Sequence, residues 1–270
     1  MIAILLATYN GATYLREQID SILNQDMNGW HLYVHDDGST DGTMDILKEY
    51  HTRYPDIITT LDYPSQGGAM KNFLSMLQHV DAEYYMFSDQ DDVWHTDKVS
   101  VTFKAMQEAE NGNTNVPVVI HTDLNVVDKQ LNRIHPSFFE MSGIHPERIK
   151  CLDDNVRVLA TGCTMMINNA AKKAAFMFDV SYATMHDAWI VATTFAADGK
   201  VIALSTATID YRQHGDNTLG APVKGQYSMK YHLTHLAETV SKNYAHYRML
   251  LAVGYKGNIF SYINKKISIK

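Results

Sequence analysis

Ile2-Ala-Ile-Leu-Leu-Ala-Thr-Tyr-Asn-Gly11 opens the chain, an apolar run that ends at Thr8. An unbroken apolar run of this length, closed by a polar turn, reads as a strand buried on both faces, the habit of parallel sheets covered by helices. No basic residue precedes Arg16, so a buried strand fits better than an export leader. Beyond it, strand and helix patterns alternate. Residues 14–25 are helical, with Leu15, Ile19, Ile22 and Leu23 on one face, and Leu32-Tyr-Val34 is a second strand. Ser39-Thr-Asp41 is placed to cap a helix carrying Ile46, Leu47 and Tyr50. A third strand (57–61), a helix marked by Phe73, Leu74, Leu77 and Val80, a fourth strand (84–87) and a helix with Val99, Phe103 and Met106 follow. This order predicts an α/β fold with a mixed, mostly parallel sheet flanked by helices.

The second half is less regular. Strands are expected at 118–121 and 164–167, a helix at 186–197, and one or two strands over 201–211. With 270 residues the chain is one large domain or a domain plus an appendage, at about 150 residues per domain. Charged residues at 20% and a mean hydropathy of -0.23 exclude a wholly disordered chain. No apolar run approaches the ~20 residues of a spanning helix. Cys151 and Cys163 have no metal-type spacing, which suits a cytoplasmic protein with free thiols.

The net charge of -7 argues against nucleic acid as a partner, but the charge is uneven. Residues 221–270 hold eight basic residues and one acid, a net +7, leaving -14 on the rest. Within this tail Leu233, Leu236, Val240, Tyr244, Tyr247 and Leu251 recur at helical steps. Two readings stand: a basic amphipathic tail on a membrane surface, or an apolar face docked on the main domain with its lysines in water.

In open α/β sheets, ligands sit beyond the carboxyl ends of the strands. Thr8-Tyr-Asn-Gly11, Asp36-Asp-Gly-Ser-Thr-Asp-Gly42 and Ser88-Asp-Gln-Asp-Asp92 follow the first, second and fourth strands. Three carboxylates within four residues, Asp89, Asp91 and Asp92, repel one another unless a cation or protons neutralise them. A hard divalent cation bridging to phosphate oxygens is one solution. A solvated turn, with Thr96 capping the next helix, is the other.

These three blocks, in this order and spacing, resemble glycosyltransferase family 2, and His121-Thr-Asp123, Gly162-Cys-Thr-Met-Met-Ile-Asn168, His186-Asp-Ala-Trp189 and Gln213-His-Gly-Asp-Asn-Thr-Leu-Gly220 resemble its rhamnosyltransferase-like subgroup. The resemblance covers residues 1–220 and implies a GT-A (Rossmann-like) catalytic domain, with a nucleotide-binding half (1–110) and an acceptor-binding half (111–220), ahead of a basic helical tail (221–270). It implies nucleotide contacts from Thr8, Tyr9, Asn10, Asp37, Lys71, Asn72, Asp89 and Gln90, with Asp37 accepting the N–H of a uracil or thymine ring. It implies Mn2+ or Mg2+ on Asp91, with Asp89 and His214, and Asp187 as general base of an inverting displacement. Gly162, Cys163, His186 and Trp189 would meet the acceptor.

The implied activity is transfer of a sugar, rhamnose from dTDP-rhamnose ahead of a UDP-hexose, to a saccharide or lipid-linked saccharide in bacterial surface polysaccharide synthesis. The expected location is cytoplasmic, and the basic charge of 221–270 motivates contact with the inner face of the plasma membrane. The residues keep rival readings: Asp187 as a helix cap, His214 as a surface histidine, Trp94 and Trp189 as core, Cys163 as a small buried residue. A non-catalytic sugar or lipid-carrier binding module is the alternative to an enzyme. The glycine signatures of NAD-dependent oxidoreductases and P-loop proteins are absent after the first strand.

Overall fold

The computed structural model describes residues 1–157, 160–214 and 236–268. The elements run β1 (Ile2–Thr8), α1 (Leu15–Leu23), β2 (Trp30–Asp36), α2 (Thr43–Arg53), β3 (Ile58–Thr60), α3 (Ala69–His79), β4 (Tyr84–Ser88), β5 (Val93–Trp94) and α4 (Lys98–Glu110). They continue with β6 (Val118–Val127), β7 (Arg133–His135), α5 (Phe138–Ser142), β8 (Met165–Asn168), α6 (Asn169–Ala175), α7 (His186–Ala196) and β9 (Lys200–Arg212). Two further helices follow, α8 (Leu236–Ala252) and α9 (Ile259–Ser268).

The strands form one sheet in the order β3-β2-β1-β4-β8-β6-β9-β5, with β7 on β6. β3, β2, β1 and β4 are parallel, as are β6 and β9, while β8 runs antiparallel between β4 and β6. Every residue of β1 is buried, and its side chains alternate between two cores. Ala3, Leu5 and Ala7 join Phe73, Leu77, Phe87 and Trp189 under α3 and α7. Ile4 and Leu6 join Leu15, Ile19, Leu32 and Met106 under α1, α2 and α4. This period of two on a strand covered on both faces is why the opening run carries no polar break.

Register fixes the working edge. Thr8 lies opposite Asp36, and Leu6 opposite Ser88, so β1 and β2 end level, β4 ends two residues earlier, and all three deliver their polar blocks to one rim. The 201–211 expectation becomes one 13-residue strand, β9, whose far end pairs with β5 on one side while staying paired with β6 on the other. That pairing sets Arg212 and His214 beside the acidic block. Two cap assignments shift by one residue. Gly42 rather than Asp41 is the N-cap of α2, because Asp41 Oδ1 instead accepts the Thr43 N–H at 2.9 Å. Asp97 rather than Thr96 precedes α4.

The C-terminal helices dock on the α3/α7 side with a face the periodicity did not mark. Met249, Leu250, Val253, Tyr255 and Tyr262 enter the first core, and His246 is buried. The stripe read from sequence turns outward instead: Val240, Tyr244 and Leu251 are exposed, and Tyr247 is half-buried. Leu233 lies outside the described residues.

Candidate functional site

Asp36 organises the rim. Its carboxylate accepts the Thr8 hydroxyl at 2.8 Å, the Ser39 hydroxyl, and the Gly38 and Ser39 N–H groups. Asn10 adopts a left-handed φ of 50° and ties the same loop, its N–H donating to Ser39 Oγ and its Oδ1 accepting from Thr40 N. Gln90 clamps the other side: its amide accepts from Tyr9 N at 2.8 Å and donates to Tyr9 O at 2.9 Å. A Cβ on Gly11 would lie 2.1 Å from Gln90 Oε1, so the clamp requires glycine there. Tyr9 itself stands 58% exposed over the rim.

Asp37 is buried and holds the loop ahead of α3. Its Oδ1 accepts from the Ser65 hydroxyl and the Gln66 and Gly67 N–H groups, and its Oδ2 from the Gly68 N–H at 2.6 Å. Burial alone would raise its pKa, but these donors hold the carboxyl below the usual range. Lys71 is exposed on the first turn of α3. Asn72, expected at the nucleotide, is instead buried and bonded through both amide atoms to His35. His35 in turn stacks on Tyr63 at 3.8 Å.

The acidic block splits by environment. Burial, then the charges of Asp91 and Asp187, push the Asp89 carboxyl up to about 7. Asp91 Oδ2 meets His214 Nε2 at 2.7 Å. Asp92 is fully buried, with Oδ1 accepting from Arg212 N and Oδ2 unpartnered among the described residues. Burial, then Asp91 and Asp89, raise its pKa well above the carboxylate range. Beside it lie the buried Cys163 thiol and the buried Lys98 ammonium, which packs over Trp94 at 4.8 Å and is pushed down to about 8 by burial.

Arg212 carries no sequence signal beyond being a cation at the end of a buried strand, and it knits the block together. Its Nε donates to Asp91 O at 2.8 Å and its Nη1 to Lys129 O at 2.7 Å, it pairs with Glu17, and it packs 4.5 Å from the Tyr14 ring. His214 lies 5.1 Å from that same ring. Five donors in a planar fork suit such a junction.

Asp187 enters from α7. It is buried at the first turn, with Oδ2 accepting from Gly162 N at 3.1 Å and Oδ1 from Ala188 N at 2.6 Å. These two donors fix a carboxylate whose charge reaches Asp89. His186 is also buried, its ring 4.3 Å from Phe73 and 5.3 Å from Phe87, with both nitrogens unpartnered among the described residues. Burial lowers its pKa against the pull of Asp187. Trp189, expected at the acceptor, is wholly in the core with Nε1 donating to Ala175 O. Cys163 is likewise buried, and burial followed by Asp92 and Asp89 raises its thiol well above the usual value. Neither side chain reaches the rim.

Among the described residues the donor set holds one close group of ligand atoms. The ligand atoms of Asp89, Asp92 and Cys163 lie within 4.8 Å of one another, but Cys163 stays a thiol and Lys98 already faces Asp92. Asp91 Oδ2 instead meets His214 Nε2 at 2.7 Å while its charge reaches Asp89, which brings two carboxylates and an imidazole into one neighbourhood. Hard oxygen donors plus one imidazole suit Mn2+ or Mg2+.

Comparison with known proteins places this geometry. The family model described as glycosyl transferase family 2 matches residues 3–174. The chain is 30% identical to the dTDP-rhamnosyl transferase RfbG of Shigella flexneri over 81% of its length and 74% of that protein. It spans 56% and 42% of two further curated bacterial relatives. Among solved structures, Staphylococcus aureus TarS 1-349 aligns over 99% of this chain and 72% of its own, with a TM-score of 0.65 at 16% identity. The same TarS fragment in complex with UDP-GlcNAc gives 0.60 at 15% identity over the same shares of both chains. The mannosyltransferase PcManGT from Pyrobaculum calidifontis, solved with GDP-Man and Mn2+, covers 99% and 79% with a TM-score of 0.56 at 15% identity.

Proposed function

The chain belongs to glycosyl transferase family 2 and is a glycosyltransferase, and from that premise we propose that it moves rhamnose, with inversion, from dTDP-rhamnose to a saccharide acceptor on a lipid carrier. The observation that carries the reading is the convergence of Asp89, Asp91 and Asp187 beside His214 on one rim of the sheet. The 30% identity to a dTDP-rhamnosyl transferase supports the donor. A UDP-hexose is the second reading, favoured by the fold shared with TarS, which was solved with UDP-GlcNAc.

Thr8, Tyr9 and Asn10 line the base and ribose pocket in this proposal, with Gln90 holding Tyr9 in place. Asp37 shapes the pocket wall through the 65–68 loop. Its Oδ2, with one donor, keeps capacity for the imide N–H of thymine or uracil. Lys71 approaches the diphosphate from α3. Asp91, Asp89 and His214 would hold Mn2+ or Mg2+, which when bound neutralises charge on the leaving diphosphate. Asp187 accepts the proton of the acceptor hydroxyl. The hydroxyl oxygen forms its bond to the anomeric carbon as the bond from that carbon to the diphosphate oxygen breaks, and the nucleoside diphosphate leaves with the electron pair. The donors from Gly162 and Ala188 keep the base aimed at that hydroxyl.

A thermal-shift panel of dTDP, UDP, GDP and ADP, each with Mn2+ and with chelator, tests the donor half. A nucleotide at 100 times its dissociation constant raises stability by about 2.7 kcal/mol. The reading expects a metal-dependent shift with dTDP, and a shift with UDP alone would transfer support to the hexose reading. Asp187→Asn tests the base: nucleotide binding is retained and transfer falls by roughly 10²–10⁴-fold. Wild-type transfer by this variant would remove Asp187 from the role.

A further inference from the structure

Both C-terminal helices bury one face and turn a second apolar stripe to solvent. On α9, Tyr262 is fully buried, whereas Phe260, Ile263 and Ile267, at the three- and four-residue steps of the opposite face, are 75%, 44% and 64% exposed. On α8, Val240, Tyr244 and Leu251 repeat the arrangement. A helix apolar on both sides has an unsatisfied face once it has docked, and large exposed apolar residues in register mark an interaction surface.

Charge selects what covers it. Residues 236–270 carry six basic residues and one acid, while the rest of the chain carries a net -12. Beside α9, Arg157 Nε donates to Lys266 O, and burial followed by the Arg157 charge lowers Lys266 to about 8. Among the described residues neither of these two cations has a carboxylate partner within ion-pair distance, while Lys265 is held by Asp154. Lys266 Nζ donates to the buried Tyr262 hydroxyl at 3.2 Å, on the docked face, which leaves Arg157 and the exposed Lys256 as the cations for an anionic partner. A second copy would bring the same excess of positive charge to the contact and add to it. No helix of the described residues is long and apolar enough to cross a membrane, so the stripe can lie on a bilayer but not span it.

We propose that the outward stripe of α9, Phe260, Ile263 and Ile267, extended by Val240, Tyr244 and Leu251 of α8, seats this glycosyltransferase on an anionic bilayer surface, with Arg157 and Lys256 meeting lipid phosphates. The acidic body, repelled by the same surface, hangs away from it, so the cationic face alone sets the approach. The proposal deepens the lipid-linked acceptor reading and rests on it for the acceptor's identity.

The test is flotation of the full chain with vesicles of neutral phosphatidylcholine alone and of phosphatidylcholine with phosphatidylglycerol, at low and high salt. Binding is expected on the anionic vesicles at low salt and not on the neutral ones. Phe260→Ser/Ile267→Ser, at exposed sites that leave the core untouched, is expected to reduce the partition coefficient about tenfold or more. Arg157→Gln/Lys256→Gln is expected to cost about tenfold on anionic vesicles. No flotation of wild type, or flotation unchanged by Phe260→Ser/Ile267→Ser, overturns the proposal. So does a wild-type dimer in light scattering that the same double variant dissociates, because the face then covers a second copy. Nucleotide binding is measured on the same preparations: its failure strikes the donor reading, while failed flotation with intact nucleotide binding strikes this one.

Discussion

Gly162→Ala should disable the enzyme without replacing a titratable group. The Gly162 N–H holds Asp187 Oδ2, and a Cβ there would lie 2.2 Å from His186 Nε2 and 2.7 Å from its Cε1. That is more than 1 Å inside ordinary contact. The His186 ring has no retreat, being wedged against Phe73 and Phe87 in the core. Overpacking of this kind costs about 1–3 kcal/mol. For a domain of this size that corresponds to a Tm fall on the order of 2–10 °C. If the backbone yields instead of the ring, the Asp187 carboxylate loses its positioning donor. A displacement near 1 Å at a catalytic carboxylate reduces kcat by roughly 10²-fold. The assay is a melt plus steady-state transfer for Gly162→Ala, His186→Ala and the double variant. Because truncating His186 makes room for the new methyl, the double variant should be more stable than the two single losses predict, by about 1–3 kcal/mol. Additive losses, or a Gly162→Ala protein that melts and turns over as wild type, would refute the reasoning.

Two further predictions rest on other buried groups. Arg212→Lys keeps a cation but loses the fork that satisfies Asp91 O, Lys129 O and Glu17, so stability should fall by about 2–4 kcal/mol and Mn2+-dependent nucleotide binding should weaken, read by melting and by titration. His121 is buried with both nitrogens unpartnered among the described residues, and burial pushes it down to about 4. The unfolded chain therefore takes up this proton near 6.5 and the native state does not, so stability falls as pH drops from 6.5 towards 4, by up to about 1.4 kcal/mol per pH unit. His121→Phe should flatten that slope by one proton in denaturant titrations across the range, and an unchanged slope would exclude His121 as its source.

Local pattern sufficed for the parallel half of the fold because β1, β2 and β4 each announce themselves twice, by an apolar run and by the polar block that ends it. The blocks land on one rim because parallel neighbours end within two residues of one another at the same edge, which periodicity and the carboxyl-edge rule together predict. What escaped the sequence is the packing between distant segments. Asn72 and Trp189 sit beside motif residues in the chain, yet helical geometry turns them inward, one to His35 and the other to Ala175 O. Periodicity marked a stripe on the tail helix but not which side docks, since Met249, Leu250 and Val253 compete with Val240, Tyr244 and Leu251.

Arg212 shows why such residues stay hidden. Its partners are Glu17, Asp91 and Lys129, drawn from three separate stretches of chain, and no spacing relates them. Each partner alone looks like an ordinary surface residue or a backbone carbonyl in a turn. Their common point exists because the end of β9 lies between β6 and β5, and the pairing with β5 is two residues long. A short strand pair gains little from its own hydrogen bonds, so the buried guanidinium and the Asp92 carboxylate that accepts Arg212 N have to fix the register there. The acidic block is then not held by its own loop. It is held by a strand more than a hundred residues away, and His214, two residues past the end of that strand, reaches Asp91 from the same side.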